Sequence, residues 1–461
     1  MDSRNRKKLI LEGNMYKVLI TLSVPIMINN LIQTLYNLID GIWVSKIGST
    51  QFAATSFVWP VSFLFISLGI GISIAGTAIL SQLIGGGKEK EANKYASQFI
   101  ALSLVTSVVF AIIGYVLTPL IVRIMGATGD LEKYSIIYLK ISFLGTPLVF
   151  LINNFNSIMN AQGNTITPTI LGGISAILNA ILDPIFIFTF NLGIGGAAFA
   201  TLLCQALLCV VIIKIVNKPT SIIRPSFKGF RFDREMINNI LKVALPSSIG
   251  QSGSALGFIV LNSFIASYGT ATMAAFGMVN RITSLIMQPA MGVGAALTTI
   301  VGQNLGMNQI KRVKDGFYKA VKFTVAFSII GCIVLIWKDD ETINFFMQSK
   351  DNMDVITQGM TYLKYISFSM PLMGIFSVLQ GIFQGSGHTK YSMAMEIGRL
   401  WFVRLPMILI FKYFTNINEE GIWFAMSFSN LIICIYGYMI YKSGKWERKI
   451  IKTGENKVVT T

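Results

Sequence analysis

Apolar residues in this chain come in long runs separated by short polar turns, from Tyr16 onward. Many runs exceed roughly 18 residues, long enough for a helix to span the ~30 Å hydrocarbon core of a bilayer. Turn residues and charges between the runs predict twelve spanning helices, beginning near residues 16, 52, 93, 134, 166, 193, 238, 273, 314, 353, 391 and 420. The pattern predicts an all-α polytopic membrane protein.

Composition and charge support this prediction and orient the chain. Hydrophobic residues make up 53% of the sequence and charged residues only 13%, whereas soluble proteins carry roughly 25% charged residues. The net charge of +17 is concentrated in alternate loops, near residues 4–8, 88–94, 214–234, 311–314 and 442–457. This distribution marks the cytoplasmic side of a membrane protein and does not favour a nucleic-acid partner. We expect a bacterial inner-membrane protein with both termini in the cytoplasm.

The second half of the chain repeats the first. Superposing Gly48 on Gly269 also aligns identical residues in the same order: Pro25 with Pro246, Gly71 with Gly292, Gln82 with Gln303 and Gly85 with Gly306. After a slip of a few residues, Tyr138-Leu139-Lys140 falls on Tyr362-Leu363-Lys364, and Gly163 falls on Gly387. Each half holds six spans, so a pseudo-two-fold axis along the membrane normal relates two lobes, as in parallel-repeat transporters. We expect lobes at 1–215 and 237–445, a cytoplasmic linker at 216–236 and a tail at 446–461.

Two acidic residues lie inside predicted spans of the first lobe. Asp40 is late in the first span, and Asp183 is in the fifth span, one helical turn after Asn179. The repeat equivalents of these three residues are all apolar: Leu261, Met407 and Val403. Ionisable residues are costly inside a membrane, so a polar cluster confined to one lobe indicates function. The structural alternative is a carboxylate that caps a broken helix or pairs with a neighbouring asparagine.

Two carboxylates in an apolar lobe can hold a proton or a Na⁺ ion, with further oxygens from Asn179 and Thr201. A monovalent cation entering down the membrane potential releases about 2.3 kcal/mol per 100 mV, which can drive export of a second solute. Pro25 lies in the first span, between its cytoplasmic end and Asp40. Its kink either transmits the occupancy of Asp40 or is static, and both interpretations stay open.

Other groups inside the spans carry weaker hypotheses. Arg404 can face a central cleft and act on substrate or coupling ion. Met287 belongs to a methionine cluster, which is typical of adaptable binding surfaces and also of ordinary helix packing. Glu396 and Arg399 are expected to pair with each other. The chain has no P-loop, and no hydrolase motif stands in a fitting context, so we expect no enzyme and no cofactor besides the coupling ion.

Several motifs taken together resemble the multidrug and toxic compound extrusion (MATE) family. They are Asn179-Ala180-Ile181-Leu182-Asp183-Pro184, Gly195-Gly196-Ala197-Ala198, Gln82-Leu83-Ile84-Gly85, Gln303-Asn304-Leu305-Gly306 and the Gln162-Gly163-Asn164-Thr165 turn. The resemblance covers roughly residues 10 to 445. It implies a twelve-helix, two-lobe transporter that exports varied small molecules, often aromatic and cationic, in exchange for H⁺ or Na⁺.

The resemblance also implies which residues act. It places the ion site at Asp40, Asn179, Asp183 and Thr201, with Tyr36 and Tyr138 nearby and Pro25 at the bend of the first span; Gln251 stands where another branch of the family has an acid. The candidates for substrate binding or gating are Tyr36, Asn37, Tyr138, Pro25, Gln251, Met287 and Arg404. We expect a monomer in contact with lipid. A flippase for lipid-linked saccharide has a similar two-lobe plan and is the alternative, but it would need buried Arg and Lys in the cleft.

Overall fold

A computed structural model of the chain describes residues 3–216, 221–337, 353–415 and 417–450. The first half contains the helices α1 (Ser3–Glu12), α2 (Met15–Ser45), α3 (Ser49–Gly85), α4 (Glu89–Ile124), α5 (Gly129–Ala161), α6 (Ile166–Pro184) with a π-helical turn at Ile185–Thr189, and α7 (Gly193–Val216). The second half contains α8 (Arg234–Ala266), α9 (Thr270–Gly306), α10 (Ile310–Trp337), α11 (Met353–Gly385), α12 (Thr389–Ile397), a π-helical segment at Gly398–Arg404, α13 (Leu405–Phe414), α14 (Glu420–Lys442) and a 3₁₀ turn at Lys445–Glu447.

The prediction of twelve spanning helices in two lobes is confirmed. Eleven helices within the described ranges are long and apolar enough to cross a membrane. The remaining span is the stretch 389–414, in which the π-helical segment separates α12 from α13. Several helices begin a few residues earlier than predicted, because polar end residues continue them: Glu89 and Glu91 lie in the first turn of α4, where the helix dipole favours acids.

Helices of each half pack mainly on one another. In the first half the large contacts are α2 with α6, α3 with α5, α4 with α5, and α5 with α7. The counterparts α8 with α12, α9 with α11, α10 with α11, and α11 with α14 form the second half. We call these bundles the N-lobe (α2–α7) and the C-lobe (α8–α14). The lobes meet along α2 with α9, α3 with α8, and α3 with α9.

The lobes come closest where α3 and α9 end, on the side of the bundle we call the terminal face. A Cβ added to Gly306 would lie 2.1 Å from the Gln82 carbonyl oxygen, and one added to Gly85 would lie 2.0 Å from the Gln303 carbonyl oxygen. Only glycine permits backbones to approach in this way. We call this contact between the ends of α3 and α9 the seam. Two glutamines add hydrogen bonds across it: Gln82 Nε2 donates to the Ser386 carbonyl at 3.0 Å, and Gln303 Nε2 donates to the Ala161 carbonyl at 2.7 Å.

Segments from both ends of the chain cover this seam. Ile10 of α1 is fully buried against C-lobe residues, and Arg312 of α10 donates to its carbonyl oxygen at 3.0 Å. Beyond α14, Trp446 is fully buried, Lys449 Nζ donates to the Gly306 carbonyl at 2.8 Å, and the Ile450 N–H donates to Gln82 Oε1 at 3.4 Å. The α1 helix was not predicted, because it is too short and polar to stand out among the apolar runs.

The close approach at Gly306 predicts a costly substitution. We expect Gly306→Ala to lower the free energy of unfolding by about 1–3 kcal/mol, because the methyl group must push the lobes apart. The matched control is Gly277→Ala in the same helix, where, apart from the helix's own nearby backbone, no atom of the described residues lies within 4 Å of an added Cβ. Melting temperatures of the two purified variants in detergent test this, and equal values would contradict it.

Candidate functional site

Side chains from three N-lobe helices form a connected polar cluster around Asp183. Asn179 Nδ2 donates to Asp183 Oδ1 at 2.9 Å and lies 3.4 Å from Thr201 Oγ1. Thr201 Oγ1 in turn lies 3.2 Å from the Tyr36 hydroxyl. Asn179 and Asp183 are 1% and 0% exposed. The cluster therefore links α2, α6 and α7 within the apolar interior of one lobe.

The chain around Asp183 explains how these helices come together. Pro184 follows Asp183, and the next residues form the π-helical turn before α7 begins. Gly196 of α7 sits against this turn, where an added Cβ would lie 2.6 Å from the Phe186 carbonyl oxygen. This close contact brings the start of α7 against the end of α6, so Thr201 faces Asn179. Inserted turns of π-helix occur frequently at functional sites.

Two carboxylate oxygens in this region have no hydrogen-bond partner within the described protein. They are Asp40 Oδ1 and Asp183 Oδ2, and both atoms are buried. Asp40 lies one helical turn after Tyr36 on α2, and both residues line the same surface as Tyr138 of α5. A buried unsatisfied carboxylate oxygen is costly, so it offers a position for a proton or a cation. The structure brings Asp40, Asp183, Asn179, Thr201, Tyr36 and Tyr138 together.

A cavity of about 990 Å³ runs along the N-lobe beside this cluster. Asp40, Tyr36, Asn37, Tyr138 and Thr201 line it, whereas Asp183 and Asn179 lie behind its wall. All the lining residues come from α2, α3, α5, α6 and α7. The volume falls within the range of about 300–1,000 Å³ typical of sites for drug-sized molecules.

The cavity also carries residues that the analysis of the sequence missed. Seven carboxamide side chains line it: Asn29, Asn30, Gln33, Asn37, Asn153, Asn156 and Gln205. Except for Asn37, none of these residues was singled out from the sequence, although amides inside apolar runs were the available signal. None of the seven side chains makes a hydrogen bond to another residue in the described ranges. Their donors and acceptors are therefore left without protein partners along the cavity wall.

Pro25 lies where α2 contacts both its own lobe and the other one. The Thr169 hydroxyl of α6 lies 2.7 Å from the Pro25 carbonyl oxygen and 2.9 Å from the Thr165 carbonyl oxygen. Two residues after Pro25, Met27 packs against Gly292 of the C-lobe, where an added Cβ would come within 2.6 Å of the Met27 side chain. Proline removes one hydrogen bond from the helix. The contact with Thr169 and the contact with the C-lobe therefore both lie near the position where α2 lacks a backbone hydrogen bond.

The remaining candidate residues lie in the C-lobe, away from the cavity. Gln251 Nε2 donates to Glu396 Oε1 at 3.1 Å, and Met287 packs beside the C-lobe core. Arg404 is 3% exposed, and Ser429, Asn430 and the Met426 carbonyl accept its hydrogen bonds, so it does not line the cavity.

The expected ion pair between Glu396 and Arg399 does not form within 4.0 Å. Gln251 instead donates to the carboxyl group, and the Arg399 guanidinium lies over the Phe376 ring at 4.5 Å.

Comparison with known proteins identifies the family of this chain. A family model described as MatE matches residues 25–185 and 246–410, one segment in each lobe. The chain belongs to the MatE family. The matched segments include Asp40, Asn179 and Asp183, whereas Thr201 lies outside them. Named relatives and solved structures of this family are membrane transporters.

Relatives and solved structures agree with this family over nearly the whole chain. A probable multidrug resistance protein of Bacillus subtilis, YpnP, is 28% identical over 95% of this chain and 97% of its own length. An FAD transporter of Shewanella oneidensis is 24% identical over 94% of this chain and 95% of its own. A multidrug resistance MATE family transporter in an outward-facing conformation superposes with a TM-score of 0.88 and 26% identity, covering 94% of this chain and 96% of that one.

The contact between Thr169 and Pro25 predicts a specific loss of stability. Thr169→Val removes a hydroxyl that joins α6 to α2, and we expect the free energy of unfolding to fall by about 0.5–1.5 kcal/mol. The control is Thr34→Val, whose exposed hydroxyl bonds only within its own helix, to the Asn30 carbonyl at 3.0 Å. Melting temperatures in detergent provide the comparison. A Thr169→Val protein as stable as the control would show that the hydroxyl contact between α6 and α2 does not stabilise the protein.

Proposed function

We propose that the protein exports small amphipathic molecules in exchange for a monovalent cation, H⁺ or Na⁺, and that both sites lie in the N-lobe. The observation that carries this proposal is the pair of buried carboxylate oxygens without partners, on Asp40 and Asp183, beside a drug-sized cavity. The names of relatives as multidrug resistance proteins support the substrate side. The coupling side rests on the geometry of the acids.

The oxygens around Asp183 suit a small hard cation. Asp183 Oδ2 and Asp40 Oδ1 provide negative charge, and the hydroxyls of Thr201 and Tyr36 lie in the same cluster. Hard monovalent ions prefer such oxygen ligands. A proton would instead convert one carboxylate into a neutral acid that can donate a hydrogen bond. Both ions remove the cost of burying two like charges, so a gradient of either ion can drive the cycle.

Coupling follows from the position of Asp40 on α2. Cation binding neutralises Asp40 at the cavity wall, and α2 also carries Pro25 and the contact with Gly292 of the C-lobe. A change in charge at one end of α2 therefore acts on the helix that joins the cavity to the interface between the lobes. Because substrate and cation share the Asp40 wall, binding of one disfavours the other, as antiport requires.

The cavity lining favours planar molecules with several hydrogen-bonding groups. Aromatic faces come from Phe52, Trp59, Phe65, Phe143 and Phe150, and the seven free amides add donors and acceptors. Asp40 is the only acid among the lining residues, and the lining holds no Lys or Arg. This composition favours neutral and cationic cargo, and it disfavours a flippase that must hold an anionic lipid-linked saccharide.

The terminal face is proposed to be cytoplasmic. The described basic residues from α1, the 221–233 segment and the end of α14 gather there, as Lys and Arg do on the inner side of bacterial membranes. The cavity and ion cluster belong to a single lobe, so a monomer in the inner membrane suffices for this function.

Transport in liposomes tests the coupling. The purified protein should export ethidium from proteoliposomes under an imposed H⁺ or Na⁺ gradient, and the gradient that drives export identifies the ion. Asp40→Asn and Asp183→Asn should each reduce this transport more than tenfold, because a carboxamide cannot take up the cation charge. Asp315→Asn, at an exposed aspartate of α10, serves as the control and should transport like the unchanged protein. Normal gradient-driven export by both N-lobe variants would refute the assigned ion site.

The free amides predict a separable effect on substrate binding. Asn156→Leu removes one donor and one acceptor from the cavity, and we expect the ethidium Kd to rise roughly 5- to 10-fold, the equivalent of one lost hydrogen bond. Asn418→Leu, in an exposed turn before α14, should leave the Kd unchanged. Fluorescence titration in detergent measures both. Unaltered affinity in Asn156→Leu would place the substrate elsewhere.

A further inference from the structure

The C-lobe contains a buried charged cluster that the N-lobe lacks. Glu396, Arg399 and Arg404 are 9%, 7% and 3% exposed. Their repeat equivalents in the N-lobe are Gly172, Ser175 and Ala180. A requirement of the shared scaffold would appear in both lobes, so these charges answer a need of the C-lobe alone.

At one equivalent contact between two helices, the larger side chain comes from a different helix in each lobe. In the N-lobe, a Cβ added to Gly172 of α6 would lie 2.7 Å from Asn29 Oδ1 of α2. In the C-lobe the glycine is on the other helix: a Cβ added to Gly250, the equivalent of Asn29, would lie 2.8 Å from Glu396 Oε2. Gly172 and Ser175 line the N-lobe cavity. Glu396 and Arg399 therefore occupy, in the C-lobe, the wall that is open in the N-lobe.

Glu396 and Arg399 each contact groups other than one another. Glu396 Oε1 accepts from Gln251 at 3.1 Å. Arg399 Nη1 lies 3.1 Å from the Met373 sulfur, a weak acceptor, and its buried Nε has no hydrogen bond within the described residues. Opposite charges buried one helical turn apart would gain most by pairing with each other. The absence of an ion pair between these two described residues fits a carboxyl group that carries a proton.

Other titratable groups around this site are few. Between Lys242 and its end at Ala266, α8 has no charged side chain, and neither has α11 after Lys364. From α14, the charged ends apart, the group that interacts with Arg399 is the Cys434 thiol, and Arg404 lies beyond it on the same π-helical segment. The charge state of Glu396 is thus balanced mainly against Arg399.

We propose that Glu396 is a proton-binding site of the C-lobe, with Arg399 as the partner of its deprotonated form. The protonated acid accepts from Gln251 and leaves Arg399 over the Phe376 ring. When the proton leaves to water, the carboxylate attracts the Arg399 guanidinium, which moves away from the Phe376 ring, and Arg399 and Gln251 then both donate to the same carboxylate. Gln251 lies on α8, which packs on α3 of the N-lobe, so this exchange acts on the interface between the lobes. The inference deepens the proposed function by adding a second titrating site, remote from Asp40 and Asp183.

A double-mutant cycle at two pH values tests the pairing. Glu396→Gln and Arg399→Met are made singly and together, and melting temperatures are measured in detergent at pH 5 and pH 9. We expect the coupling to be a few degrees larger at pH 9 than at pH 5, because only the deprotonated carboxylate pairs with Arg399. The control cycle uses Asp315→Asn and Lys319→Met, an exposed pair 2.8 Å apart, whose coupling should not differ between the two pH values. Equal coupling of Glu396 and Arg399 at both pH values would overturn the proposal.

Infrared difference spectroscopy tests the proton directly and does not require transport. In an Asp40→Asn/Asp183→Asn background, the low-minus-high pH spectrum should retain a protonated carboxyl band that Glu396→Gln removes. Gln251→Leu keeps the acid but removes its hydrogen-bond donor, so the band should shift rather than vanish. A band unaffected by both substitutions would refute the C-lobe site even if the N-lobe variants fail in transport, and loss of the band would support it even if they transport normally.

Discussion

The arrangement of the two lobes depends on a direct contact between two helix backbones. Gly85 and Gly306 allow the ends of α3 and α9 to touch, and Gln82 and Gln303 tie each end to the opposite lobe. These four residues are repeat equivalents, so a pseudo-two-fold axis passes through the contact. Lipid provides no hydrophobic force to hold helices together, and membrane helices therefore rely on small residues and interhelical hydrogen bonds. Small residues and interhelical hydrogen bonds occur together at the seam.

Around this symmetric seam the two lobes differ in their contents. The N-lobe has a cavity bordered by small residues of α6. Its acid on α2 lines this cavity, and its acid on α6 lies behind the wall. The C-lobe has charged side chains where the N-lobe is open, and apolar residues where the N-lobe has its acids. The residues that recur in both halves belong to the shared scaffold, whereas the polar residues found in one half indicate what that lobe does. A comparison between the halves of one chain thus separates structural from functional positions without any second sequence.

Much of this structure is encoded in patterns that can be recognised locally. Runs of apolar residues fix the number of spans, and the order of Gly, Pro and Gln reveals the repeat, because these residues mark backbone contacts that both halves need. Asp40 and Asp183 stood out since acids are rare inside spans. The amides did not stand out: whether Asn153 faces a cavity or a neighbouring helix depends on packing, which the sequence does not display. The π-helical turns after Asp183 and before Leu405 were also missed, because they arise from tertiary contacts such as that of Gly196 with Phe186.

Packing also explains why the expected pairing of Glu396 with Arg399 was wrong for this structure. Spacing of one turn makes a pair possible, but Gln251 and Phe376 lie on other helices and compete for the two groups. Competition of this kind cannot be read along a single helix.

The segment that follows α14 has a consequence for how the protein matures. Trp446, Lys449 and Ile450 complete the cover over Gly306 and Gln82, yet they are synthesised after both lobes. While the ribosome is still producing α14, the C-lobe is incomplete and the Gln82 amide oxygen lacks its partner from Ile450. The contacts that cover Gly306 and Gln82 can therefore form only after the last span has been synthesised.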